Sequence, residues 1–212
     1  MNTSTTTSDK LLAAGVVAGP LYVLVSVAQG LTRDGFDFTR HPWSLLANGD
    51  LGWIQVANLV VTGLLVIAFA VGMQRRPETG TWAPRLIAAY GVSLIAAGVF
   101  RADPALGFPA GTPEAVGAVS WRGMLHFVAG GIGFACLIAA CLVAGRRFAV
   151  AGRRGWAVVS RVIGIVFLAG FVAVGSGGGN VAVNLTFTAA VILVWAWVTA
   201  YAAHLHRQTV TA

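Results

Sequence analysis

From Trp53 to Met73 the chain reads WIQVANLVVTGLLVIAFAVGM, and Gln74, Arg75 and Arg76 follow at once. No charge interrupts the run, and its length matches the roughly 20 residues with which an α-helix crosses a bilayer. A strand of a membrane barrel alternates between lipid and lumen over about ten residues, and this stretch does not alternate. An open sheet edge would leave backbone groups without partners in lipid. The stretch therefore reads as a transmembrane α-helix. Gln55, Asn58 and Thr62 lie in its first half at i, i+3 and i+7, on one face of such a helix.

Comparable runs stand on either side. They extend from Leu11 to Leu31, Pro84 to Phe100, Val119 to Ala144, Trp156 to Val174 and Val181 to Tyr201. The expected fold is all-α: a polytopic bundle of six transmembrane helices over residues 11–204, between a short polar leader (1–10) and a short tail (205–212). Composition agrees, because 57% of the 212 residues are hydrophobic and only 10% are charged. Soluble domains carry about 25% charge, so a water-soluble surface cannot be built from this inventory. Mean hydropathy is +0.79. The first run contains Ser26-Val27-Ala28, which resembles a signal-peptide cleavage site. It is expected to be retained as a span, since it exceeds the usual h-region and only Lys10 precedes it as a basic residue.

Basic residues give the direction. Lys10, Arg75, Arg76, Arg85, Arg146, Arg147, Arg153, Arg154 and Arg207 fall on one side of the six spans, and Arg33, Arg40, Arg101 and Arg122 on the other. The positive-inside rule puts the first side, with both termini, in the cytoplasm, in a plasma (inner) membrane. Arg161 lies inside the fifth span near its basic end and is expected to snorkel to headgroups. Tryptophans should form belts: Trp53 and Trp121 at outer helix ends, Trp82 and Trp156 at inner ends, with Trp195 and Trp197 near the inner end of the last helix. A net charge of +7 in this setting reflects topogenic signals and lipid headgroups, and no nucleic-acid partner is expected.

Small residues mark close helix contacts. Gly15 and Gly19 form a GxxxG step, Ala129 and Gly133 a related one, and Gly91 and Gly98 lie two turns apart. Packing within the chain is the expected use; oligomeric state is left open. Cys136 and Cys141 lie in one apolar run on different sides of a helix, and are expected to pack rather than pair. His204 and His206, at i and i+2, do not share a helix face. No HExxH, paired-cysteine or carboxylate-pair spacing occurs. No metal, haem or other cofactor is expected.

Two outer loops are long. Between the first two spans runs Arg33-Asp34-Gly35-Phe36-Asp37-Phe38-Thr39-Arg40-His41-Pro42-Trp43-Ser44-Leu45-Leu46, and the third span exits through Phe100-Arg101-Ala102-Asp103-Pro104 into the segment 105–118. Their aromatic and leucine residues predict loops folded against the helix ends, with a short interfacial helix starting at Pro42. Ser176 to Gly179 reads as a tight outer turn. Polar stripes begin at the outer helix ends: Gln55, Asn58 and Thr62; Arg122 and His126; Asn180, Asn184 and Thr188. Polar side chains facing lipid are costly. The expectation is that these stripes turn towards each other and enclose a polar pocket in the outer half.

The stretch from Asp37 to Leu46, with Gly52-Trp53-Ile54-Gln55, Phe100 to Pro104 and Gly123-Met124-Leu125-His126, resembles a family of bacterial membrane proteins catalogued as domain of unknown function 998 (DUF998). The resemblance spans nearly the whole chain. It implies a multi-helix membrane domain and supplies no reaction.

The residues point first to a small amphipathic or lipid-like ligand held in the outward pocket by Arg40, His41, Trp43, Gln55, Asn58, Arg101, Arg122, Asn180 and Asn184. In that reading Arg40, Arg101 and Arg122 pair with an anionic headgroup. The alternatives are an enzyme acting on a lipid or isoprenoid, with Asp103 and His126 as acid/base pair, and a transporter or membrane assembly partner. Membrane lipids are the partners expected in every case.

Overall fold

The computed structural model describes residues 3–114, 117–176 and 180–210. Six helices make up the body: α1 (Thr3–Thr32), α2 (Gly52–Gln74), α3 (Trp82–Val99), α4 (Trp121–Val150), α5 (Arg154–Ser176) and α6 (Val181–Val210). All six are long and apolar enough to cross a membrane, and no strand occurs among the described residues. Pro84 lies in the first turn of α3, where its missing N–H would have no intrahelical acceptor anyway. Two short 3₁₀ turns, Trp43–Ala47 and Pro77–Thr79, punctuate the connections. The glycine run Gly177 to Gly179, expected as a tight turn, lies outside the described residues.

Each helix packs on the next in chain order, and α6 closes on α1. The result is a ring of six. The connections α1–α2 and α3–α4 meet on one end, called here the loop face. The α2–α3 and α4–α5 turns meet on the other, the arginine face.

Glycine sets the spacing where the ring is tightest. A Cβ built on Gly63 of α2 would come within 2.6 Å of the Gly91 carbonyl oxygen on α3, and one on Gly91 within 2.8 Å of the Gly63 carbonyl oxygen. Gly15 and Gly19 face inward in the same way: a Cβ on Gly15 would meet Phe69 and Ala202, and one on Gly19 would meet Thr199 and the Trp195 carbonyl. The GxxxG step is thus a seam of α1 with its own ring neighbours, as expected.

The half of the ring nearer the arginine face is filled by side chains, among them Phe69, Met73, Leu137, Cys141, Trp197 and Leu205. Trp195 and Trp197 are only 1% and 2% exposed. The expectation that they join the inner aromatic belt is therefore corrected. They point into the ring, and Trp197 donates its indole N–H to Ser160 Oγ at 2.9 Å, so its polar tip needs no water. Trp53, Trp82 and Trp121 are exposed at helix ends. An arginine on the arginine face also ties two elements together. Arg147 donates to the carbonyls of Glu78 (2.9 Å) and Pro77 (3.2 Å), tying the α2–α3 turn to α4.

Candidate functional site

The loop face is built, not merely covered. Arg33 follows α1 and donates to the carbonyls of Leu46 and Asn48, both at 2.6 Å, while its guanidinium lies 4.9 Å from the Phe108 ring centre. Burial in this packing lowers its pKa from the usual arginine value, and Asp50 opposes the shift. Trp43, Leu45, Leu46, Ala102 and Phe108 form a second apolar cluster around it. The segment from Pro42 does form a short helix, Trp43–Ala47, but its apolar residues are buried against the bundle rather than spread along an interface. Asp37 accepts from the Thr39 amide (2.8 Å) and hydroxyl (2.7 Å). The hydroxyl bond first, then the amide bond, holds its carboxyl below the ordinary range. Arg40 pairs with Glu114 and so joins the two loops, which raises the arginine's pKa.

The ends of α3 and α4 are joined reciprocally. Asp103, just past α3, accepts from the Ser120 amide at 2.7 Å and the Ser120 hydroxyl at 2.6 Å. Ser120 in turn caps α4 by accepting from the Gly123 amide at 3.1 Å. The carboxylate thus sits at a helix N-terminus, where negative charge is favoured. A Cβ at Gly123 would collide with it. In the other direction, His126 of α4 lies 3.0 Å from the Ala97 carbonyl and 2.9 Å from the Phe100 carbonyl through Nδ1. Two acceptors require that Nδ1 carry the proton. His126 therefore caps the C-terminus of α3 as Asp103 caps the N-terminus of α4.

Between these parts lies a cavity of about 540 Å³ that runs from the loop face to the middle of the ring. Its ionisable and carboxamide groups, Arg40, Asp103, His126, Asn180 and Asn184, lie at the loop-face end. Below them the walls are mainly aromatic and aliphatic, including Phe134, Phe167, Phe171 and Phe187. At the floor Trp195 lies between Tyr22 (ring centres 5.0 Å apart) and Tyr90 (5.6 Å).

Of the residues proposed from sequence, the structure brings Arg40, Trp43, Asp103, His126, Asn180 and Asn184 to this cavity. Others lie elsewhere. Gln55 and Asn58 face α1: Gln29 Nε2 donates to Gln55 Oε1 at 2.7 Å, Gln55 Nε2 to Ser26 Oγ at 3.2 Å, and Asn58 Nδ2 to the Tyr22 carbonyl at 3.2 Å. The expected convergence of all three stripes is corrected accordingly, because the α2 stripe is satisfied by its neighbour. His41 is buried in the loops with both nitrogens engaged. Nδ1 accepts from the Asp37 amide at 2.9 Å, leaving Nε2 to donate to the Leu106 carbonyl at 2.8 Å. Arg101 is exposed and does not line the cavity. Arg122 is exposed too, with its guanidinium 5.2 Å from the Trp121 ring centre. Asp103 and His126 both line the cavity but make no hydrogen bond to each other. Among the described residues no three His, Cys, Asp or Glu side chains gather as a metal site.

Sequence reading missed Tyr22, Tyr90 and Trp195 at the floor. Each is an aromatic with a polar tip in mid-span, where such a tip needs a partner or a cavity, and that signal was available.

The family model described as "Protein of unknown function (DUF998)" matches residues 16–204, and the chain belongs to that family. No curated protein and no solved structure matches the chain.

Proposed function

We propose that this multi-pass member of the DUF998 family is a binding protein for a single-chain amphipathic, lipid-like ligand. The apolar chain lies along the aromatic wall of the cavity and the head stays at the loop face. The observation that carries this reading is the polarity gradient of the cavity. Its ionisable and carboxamide groups gather at one end, and its aromatic rings line the way to Trp195. A volume of about 540 Å³ lies within the range of about 300–1,000 Å³ seen for small-ligand sites. The loop face carries fewer basic residues than its opposite, so the positive-inside rule turns the cavity mouth to the outside of a plasma membrane and both termini to the cytoplasm.

Gly130 offers a clean test. It lines the cavity, and a Cβ built on it meets nothing within 4 Å. Gly130→Leu should obstruct the cavity from a position whose Cβ meets no neighbour, and should remove a glycine from a helix interior, which costs about 1 kcal/mol relative to alanine. Single-chain amphiphiles should raise the Tm of the wild-type protein in lipid nanodiscs and leave that of Gly130→Leu unmoved. Equal shifts in the two proteins would place the ligand elsewhere. No shift with any chain would remove the reading.

A further inference from the structure

The deep end of the cavity carries polar atoms that no part of the protein uses. Tyr22, Tyr90 and Trp195 line the floor, and each stands within a span. Tyr90 is 2% exposed and Trp195 1%; Tyr22 beside them is half-buried. Trp197 gives its indole N–H to Ser160. Trp195 gives its own to no acceptor among the described residues, and neither phenol hydroxyl has a hydrogen-bond partner among them. These tips are not sealed in packing either. The enclosed, unpaired polar atoms among the described residues include Trp43 Nε1 and Thr199 Oγ1, but none of these three. Tyr90 and Trp195 are otherwise buried, so the opening left to their tips is the cavity that they line.

A bare hydrocarbon end pressed on this floor would leave the tips without partners, and a buried donor left unpaired costs about 1–3 kcal/mol. All three tips can donate, and the indole can do nothing else. Ser93, also a lining residue, donates to the Tyr90 carbonyl at 2.7 Å, so its proton is already spent on its own helix. What the floor lacks is an acceptor. An anion does not fit there. The charged lining residues Arg40 and Asp103 lie at the loop-face end, and an ion in mid-span without a counter-charge is strongly unfavourable.

We infer that the ligand carries an uncharged oxygen acceptor of carbonyl type at its inner end. The carbonyl accepts from a phenol hydroxyl at the floor, the more acidic donor, with the Trp195 N–H beside it for the second lone pair. The chain behind it crosses the phenylalanine wall. The ligand class is therefore chains bearing a ketone-like oxygen at the end remote from the head, rather than plain alkyl chains. This inference rests on the binding reading above and specifies the end opposite the head.

The test compares methyl decyl ketone with dodecane, at equal concentration in the membrane, binding to the full-length protein in nanodiscs. The ketone should bind about three- to tenfold more tightly than the hydrocarbon, the worth of one net hydrogen bond. A double variant, Tyr22→Phe with Tyr90→Phe, keeps both rings and every hydrogen bond that the side chains make within the protein. Its ligand-free Tm should therefore not fall, while its ketone-to-hydrocarbon ratio should drop towards one and its hydrocarbon binding stay unchanged. Equal binding of the two compounds to the wild-type protein would mean that water serves the floor, and would overturn the inference while keeping the binding reading. A ratio unchanged in the double variant would place the ketone oxygen elsewhere and overturn it too. So would a lower ligand-free Tm, which would show that the hydroxyls have partners in the protein. Failure of both compounds to bind would remove the binding reading and this inference with it.

Discussion

His126 joins structure and site in one side chain. Its Nδ1 holds two carbonyls at the end of α3, and its ring lines the cavity. Removing the cap while leaving those carbonyls buried should destabilise by about 1–3 kcal/mol, so His126→Ala should lower the Tm clearly and His126→Asn much less. Equal losses in the two variants would deny the cap. The sequence showed that His126 lies well inside a span. It did not show that its partners are backbone oxygens at the end of another helix, because a carbonyl carries no residue identity. Asp37 makes a pH prediction. Its folded pKa is depressed by Thr39, so its contribution is present above the unfolded carboxyl value of about 3.9 and is lost as pH falls through the lower folded value. Hydrogen exchange at Thr39 and its neighbours should stay slow at pH 5 and rise, relative to the intrinsic rate, only below about pH 4. Asp37→Asn should abolish the step. The group is mostly exposed, so the effect should remain local.

Among the helices, α1 and α2 show what periodicity reveals and what it omits. The stripe Gln55, Asn58 and Thr62 was legible from its spacing alone. Its destination was not, since the Ser26 and Gln29 partners lie in a run read for its apolar character. Both Gln29 and Gln55 are buried and bonded at 2.7 Å. A double-mutant cycle with Gln29→Leu and Gln55→Leu should return a coupling of about 0.6 kcal/mol and no more than about 1.7 kcal/mol, the range of such bonds in membranes. A coupling of zero would mean that the two amides do not meet. The glycine steps were equally legible as close contacts, and their partners followed only from the ring order. Gly63→Leu should prevent α2 and α3 from meeting and sharply reduce folded yield, whereas Gly130→Leu should not. Both positions are helical glycines, and only their surroundings separate them.

At the scale of the whole molecule, the six spans and the packing of the long loops on the helix ends were readable from hydropathy and aromatic content, whereas α1, α4 and α6 run beyond the apolar limits, to Thr3, Val150 and Val210. The ring closure of α6 on α1 and the cavity it encloses were not, because both depend on which face each helix turns inward. The orientation proposed from the charge asymmetry puts the loop face outward. Asp34→Cys, made in a background lacking Cys136 and Cys141, should react with a membrane-impermeant thiol reagent in intact cells. Arg154→Cys should react only after permeabilisation, and the reverse pattern would invert the topology. The central claim is that the cavity holds one amphipathic chain. Native mass spectrometry of the protein released from nanodiscs containing a single-chain amphiphile tests it most directly. The account predicts one bound chain per wild-type molecule and none on Gly130→Leu, with the variant as stable as the parent. The same adduct on both proteins, or no adduct on either, would contradict it.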